Sequence, residues 1–335
     1  MTGRCGSTSR SCCARSVKCS RPGQVDVTAR VPVLYIGGTG RSGSTVLAQQ
    51  LAQLKGAISV GELRYLWSRG LGANQLCGCG APFRDCAFWG DVLSRAYGPA
   101  LADRAVQAAR AGSVDRIRHI PALSTRWLRP PRSRRAVNAY AELMLPLYRA
   151  ILAVSAGSVI VDSSKDPSYA FALRSVSGLD VRLVHLVRDS RAVAHSWTRA
   201  KLRPEIHWQR EYMRVLPPKI SAALWLEYNL LFEAFRFLPS PAIRIRYEDF
   251  ARDPGAVIER IVGLLGGTLL TTGRAATPFV HSISGNPIRF QKTPAPVLVD
   301  DEWRSRMTLA DRRLVTAMTA PLLGAYRYRV LSGSG

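Results

Sequence analysis

Short apolar runs alternate along this chain with longer stretches in which apolar residues recur every three or four positions. The runs Val33–Ile36, Ala57–Val60, Val159–Val161, Val181–Val187 and Ala242–Ile245 read as buried strands. Ser44–Leu54, with Val46, Leu47, Leu51 and Leu54 on one face, reads as a helix. Helices are also expected over Val92–Ala111, Asn138–Ala156, Arg188–Arg199, Pro204–Arg214, Lys219–Phe237 and Asp253–Leu265, and from Leu309 onward. Val114–Arg135 is basic and interrupted by proline, so an exposed loop or lid is expected there. Thr277–Val299 reads as irregular. Strands that alternate with helices need crossover connections, which implies an α/β fold with a mostly parallel central sheet flanked by helices.

Nothing periodic precedes this pattern. Residues 1–30 are small, polar and basic and read as a flexible tail. Residues 31–330 are expected to form one domain, with a cysteine-containing, basic helical insertion at about 70–135. No apolar run reaches the roughly 18 residues of a membrane span, and the start lacks the apolar core of a secretion signal. A cytoplasmic protein without a membrane span is the expectation. The formal net charge of +24 favours anionic partners such as nucleotides, sulfated sugars, nucleic acid or anionic lipid. Lysines number only six, so the charge is mostly arginine, a skew that codon bias also produces. A nucleic-acid-binding protein would need a groove-entering motif or interleaved aromatic and basic residues, and Trp127 among Arg126, Arg129 and Arg132 is only a hint of one.

The first strand runs into Gly37-Gly-Thr-Gly-Arg-Ser-Gly-Ser-Thr45, which opens the first helix. Amides on such a turn converge on whatever lies above it, and the helix N-terminus adds positive potential. This is an anion cradle on a P-loop-like, three-layer framework. A Walker A loop has lysine after its last glycine, whereas here Ser44 occupies that position and Arg41 is the nearby cation. The substitution argues against a kinase or nucleotide hydrolase and keeps a phosphate site.

Three segments then resemble the sulfotransferases that use 3′-phosphoadenosine 5′-phosphosulfate (PAPS), especially the bacterial, tyrosylprotein and carbohydrate types. Arg41-Ser-Gly-Ser-Thr45 is similar to the family's 5′-phosphosulfate loop. Leu186 to Ser196 is similar to its 3′-phosphate motif, with Arg188 at the strand end and Ser196 eight residues later. Arg246-Tyr-Glu-Asp-Phe250 is similar to a segment whose tyrosine lies near the adenine. The resemblance implies PAPS as co-substrate with no metal required, held by Gly40, Arg41, Ser42, Gly43, Ser44, Thr45, Arg188, Ser196 and Tyr247. His281 to Phe290 is similar to a late loop that closes over the nucleotide, which adds Ser284, Asn286 and Arg289. The position of the family's adenine-stacking aromatic is Val46, a departure found outside the cytosolic type.

Physical chemistry supports the pairing, since a phosphate suits an arginine fork beside a hydroxyl at a helix start. A surface ion pair between Arg188 and Asp189 is the plainer reading. Sulfuryl transfer also needs a base for the acceptor and cations for the leaving oxygens. Glu62, just past the second strand, is the candidate base; a helix-start glutamate stabilised by the dipole is the plainer reading. Lys165, in Asp162-Ser-Ser-Lys-Asp-Pro167, resembles the lysine that assists the transferred group, and Arg41 is expected at the leaving oxygen. Asp162 imitates a Walker B aspartate only because apolar strands often end in Asp. His185, within an apolar strand, reads as a core residue. A small-molecule, glycan or lipid acceptor follows from the resemblance.

Cys77, Cys79 and Cys86 form a cluster before Phe88-Trp89. Three thiols suit zinc, but a fourth ligand would have to be a distant histidine and the C-x-C-x6-C spacing matches no standard finger. A local disulfide, or reduced packing cysteines, is the expected state, with no metal. The loop follows Glu62 closely and is expected to help shape the acceptor pocket.

Overall fold

The computed structural model describes residues 30–105, 114–125, 129–266, 270–274, 280–291, 293 and 296–330. The tail at 1–29, Trp127 and the end of the helix expected to Ala111 lie outside them.

Five strands form a fully parallel sheet: β1 (Val31–Gly37), β3 (Ala57–Gly61), β4 (Val159–Lys165), β5 (Leu179–Val187) and β6 (Ala242–Arg246), in the order β3-β4-β1-β5-β6. A separate two-stranded antiparallel pair joins β2 (Leu54–Lys55) to β7 (Thr271–Arg274), neither of which the apolar runs announce. Two strands are too short to carry a periodicity. Leu54 belongs to β2, and helix α1 ends at Leu51 (Ser44–Leu51).

Side chains alternate across the sheet. Val33 and Tyr35 of β1 enter one apolar layer, while Leu34 and Ile36 enter the other. The first layer is covered by helices α2 (Ala87–Tyr97), α3 (Pro131–Ser155), α4 (Pro167–Arg174) and α6 (Pro218–Arg236), the last of which follows α5 (Ser190–Trp197). The second layer is covered by α1 and by α7 (Pro254–Leu264). In α3 the buried positions Tyr140, Leu143, Met144, Leu147, Tyr148 and Ile151 repeat every three or four residues. That repeat makes one apolar stripe, and the helix packs against α2 and α4. Trp225 and Phe232 anchor α6 with no exposure at all.

The structure departs from expectation in two places. Residues 204–214 form no helix. Arg203 instead pairs with Glu205 and Glu211, and Leu202 bridges Tyr212 in antiparallel fashion. Pro204 and these local ion pairs favour a folded-back loop over a helix that has no apolar stripe to bury. The stretch from Val114 is no exposed lid either. Val114, Ile120 and Leu123 are buried, and Pro131 starts α3 instead of interrupting a loop. Proline is well tolerated in the first turn of a helix, where its missing N–H has no partner to lose.

The chain runs from β1 to one edge of the sheet and later returns through β5 to the other. This places a topological switch at the carboxyl end of β1, where open α/β sheets bind ligands.

Candidate active site

Above that switch lies a cleft of about 750 Å³, and most of its walls come from strand ends and the turns that follow them. The turn after β1 contributes Thr39, Gly40, Arg41, Gly43, Ser44 and Thr45, and β4 contributes Ser164 and Lys165. Arg188, Ser196 and Trp197 come from the β5 turn and α5, Glu62 from the end of β3, and Tyr247 from the residue after β6. Gly43 has φ +93°, and a Cβ there would run into the ring of Tyr247. Only glycine fits this turn, and its absence of a side chain lets Tyr247 close the floor.

Arg41 and Arg188 are neighbours. Arg188 donates from Nη1 to the backbone carbonyl of Arg41 at 2.9 Å, and its guanidinium lies 4.9 Å from the Tyr247 ring centre. Its Nη2 pairs with Asp300 at 2.9 Å, not with Asp189, which is taken by Arg191 at 2.7 Å. Arg41 stacks on Trp197 at 4.8 Å, and its Nε, Nη1 and Nη2 are buried without a hydrogen-bond partner among the described residues. Ser42 Oγ is likewise unpartnered. Burial, then the charge of Arg199, pushes the Arg41 pKa down. Burial and then Arg41, Arg199 and Arg188 do the same to Lys201, which also lines the cleft. Asp300 serves both Arg188 and Arg199, whereas Arg41 has no carboxylate partner among the described residues. The orphaned Arg41 fork lines the cleft and fits a phosphate- or sulfate-bearing ligand, whereas Ser42 is fully buried and does not line the cleft.

Across the cleft, Lys165 pairs with Oε1 of Glu62, while Ser284 donates to Oε2 at 3.3 Å. Arg69 reaches Ser284 Oγ at 2.5 Å and Glu62 Oε2 at 3.9 Å. Register shifts at the ends of β1, β3 and β4 bend these termini. Arg41, Lys165 and Ser284 all hold positive φ without being glycine, at +71°, +67° and +53°. Such strain concentrates where geometry serves function.

The late loop divides in its roles. Asn286 lines the cleft and caps its own turn through Oδ1 on the Ile288 amide. Ser284 faces Glu62 and does not line the cleft. Arg289 is turned away from the cleft altogether: its guanidinium donates to the carbonyls of Ser282 at 2.6 Å and Leu76 at 2.9 Å, so it ties loops together and offers no fork to a nucleotide. The cysteine loop adds no wall to the cleft, contrary to expectation, because it packs behind Glu62. Asp162 is fully buried beneath Tyr148 and Ser164, out of reach of a metal–nucleotide complex. His185 is a core residue bonded to Asn229 at 2.8 Å. Arg69, Trp197, Arg199, Lys201 and Asp300 are the participants that sequence reasoning misses. Trp197, Arg199 and Lys201 had a signal, since they follow Ser196 off the same helix end.

The parallel α/β framework thus carries two adjoining basic clusters, around Arg41 and around Arg188, at its switch point. A sequence profile of the sulfotransferase family matches residues 32–269, and the chain belongs to that family. Among proteins of curated function none matches. Among solved structures, the chain is similar to the sulfotransferase domain from the curacin biosynthetic pathway, with a TM-score of 0.50 and 17% identity over 90% of this chain and 99% of that one. It also matches the sulfotransferase domain from the Synechococcus PCC 7002 olefin synthase, with a TM-score of 0.49 and 22% identity over 91% and 98% of the two chains. At that identity the curacin-pathway likeness speaks to the fold. No helix among the described residues is long and apolar enough to cross a membrane.

Proposed function

We propose that the protein transfers the sulfuryl group of PAPS to an acceptor hydroxyl. The observation that carries this reading is the 2.9 Å contact between Arg188 and the Arg41 carbonyl, which joins the two anion clusters into one cleft. The amides of residues 40–45 and the Arg41 fork would hold the 5′-phosphosulfate. Arg188 and Ser196 would hold the 3′-phosphate, with Tyr247 beside the adenine.

In the reaction, the acceptor oxygen bonds to sulfur as the bond from sulfur to the 5′-phosphate oxygen breaks. The acceptor proton passes to a Glu62 carboxylate oxygen, and 3′,5′-phosphoadenosine (PAP) leaves as the other product. Lys165 and Arg41, which both line the cleft, would neutralise charge on the leaving and peripheral oxygens. Lys165 pairs with Glu62, and both side chains line the cleft where the transferred group would lie. The far wall, with Leu216, Ile220, Leu224 and Tyr228, suits a hydroxyl carried on an apolar or aromatic body.

Titration calorimetry with PAP and with ATP tests the reading. PAP is expected to bind, and more tightly than ATP. Preference for ATP would point to a nucleotide hydrolase or kinase and sink it.

A further inference from the structure

Behind Glu62, away from the cleft, three thiols and an imidazole converge. Cys86 Sγ lies 3.7 Å from Cys77 Sγ, 3.8 Å from Cys79 Sγ and 3.3 Å from His281 Nδ1. Cys77 Sγ lies 4.0 Å from the same nitrogen, and all four atoms fall within 4.8 Å of one another. The three cysteines are free thiols, so of the two expected states, a local disulfide or reduced cysteines, the reduced one is found. A disulfide would bring two sulfurs to about 2.05 Å and leave the third aside. A tetrahedral zinc ion with bonds of about 2.3 Å to sulfur and 2.05 Å to nitrogen sets sulfurs about 3.8 Å apart and sulfur about 3.6 Å from nitrogen. The observed spacings bracket those edges.

We propose that Cys77, Cys79, Cys86 and His281, through Nδ1, bind one structural zinc ion. Three thiolates and an imidazole are the donor set zinc favours, and four protein ligands close its shell, which excludes a catalytic water. The surroundings are those of a metal knuckle. The Cys79 amide donates toward the Cys77 sulfur and the Trp89 amide toward Cys86. The turn is closed by Gly80 N on the Cys77 carbonyl and Cys77 N on the Ala81 carbonyl, each at 2.8 Å. The His281 ring stacks on Phe88 at 5.0 Å, which sets its plane. Gly78 donates to the Ser282 carbonyl at 2.9 Å, and a Cβ at that position would strike Val280 and Ser282. The C-x-C turn therefore docks backbone to backbone on the segment that supplies the distant histidine.

The ion would cross-link residues 195 positions apart, Cys86 and His281. The segment it fixes continues into Ile283, which donates to the Val60 carbonyl at 2.8 Å and accepts from the Glu62 amide at 2.7 Å. Ser284, on Glu62, comes next. The zinc would thus hold the loop that positions Glu62 from behind.

The test is metal analysis of the full chain, purified without a metal-affinity tag or chelator. About one zinc per chain is expected, falling to near zero in both Cys86→Ser and His281→Ala. If those variants fail to fold, reduced wild-type protein stripped of metal and titrated with Co²⁺ decides. Intense tetrahedral thiolate–cobalt bands that saturate at one equivalent are expected. Metal-free protein whose cobalt spectrum lacks those bands would overturn the proposal. So would one equivalent of zinc retained in both variants, which would place it elsewhere in the chain. A Cys79–Cys86 disulfide found by mass spectrometry in the native protein would do the same.

Discussion

Lys165 sets its ammonium on Oε1 of Glu62, joining the end of β4 to the residue that follows β3. Both side chains are largely buried, with 15% and 10% of their surface exposed. A pair this sheltered is costly to break from one side, since the survivor keeps its charge without a partner. Glu62→Gln should therefore lower turnover of PAPS with any accepted hydroxyl by about 10²- to 10⁴-fold, the range for losing a general base. Affinity for PAP should stay close to wild type, because the nucleotide clusters lie on the other wall. Steady-state kinetics with calorimetry on the same preparation separates the two. Turnover at the wild-type rate would remove Glu62 as base.

Arg188 makes a different kind of contact. One edge of its fork rests on a backbone carbonyl, and the other is held by Asp300. Burial raises the Asp300 pKa, but the charge and hydrogen bond of Arg188 more than offset it, so the carboxylate titrates below its ordinary value. A phosphate at this place would share or displace that carboxylate. Arg188→Ala should weaken PAP binding by about 1.5–3 kcal/mol, roughly ten- to 150-fold, the cost of losing a charge-assisted hydrogen bond. Adenosine 5′-phosphate, which lacks the 3′-phosphate, should lose little. Equal loss for both ligands would show damage to the loop as a whole, and no loss for PAP would remove Arg188 from the site.

Much of this arrangement is readable from local pattern. The sheet follows from apolar runs, and the anion loop from glycines between a strand and a helix. Arg188 and Ser196 come from the family resemblance, and both line the cleft. What escapes the sequence is contact across long separations. Nothing near Arg188 announces Asp300, which lies 112 residues away. Nothing near Glu62 announces Ser284, 222 residues away. Arg289 carries a plausible anion-binding side chain, yet two carbonyls claim it. The loop at 202–215 misleads for a related reason. Its charges are satisfied by one another, as Arg203 with Glu205 and Glu211 shows, and such pairing leaves no periodic trace.

Asp162 supplies a prediction about stability. It is fully buried, accepting from Tyr148 Oη at 2.7 Å and from the Ser164 amide at 2.9 Å and its hydroxyl at 2.5 Å. Burial pushes its pKa up to about 6, and those hydrogen bonds only moderate the rise. In the unfolded chain an aspartate titrates near 3.9. Above about pH 6 the carboxylate is charged in both states, and the fold bears the cost of the buried charge. As pH falls through 6 the folded protein takes up the proton first, so this residue favours folding increasingly down to about pH 4. As the unfolded chain in turn takes up its proton near pH 3.9 the effect levels off. The difference is worth roughly 2.4 kcal/mol between pH 8 and pH 4. Carboxylates with lowered values, such as Asp300, act in the opposite sense, so the wild-type profile alone is a sum. Asp162→Asn isolates the term, because the amide oxygen still accepts from Ser164 while carrying no charge. Urea unfolding of both proteins across this range should show the variant gaining about 2.4 kcal/mol on wild type from pH 4 to pH 8. A difference that stays flat across that range would show that the Asp162 carboxyl titrates as it does in the unfolded chain.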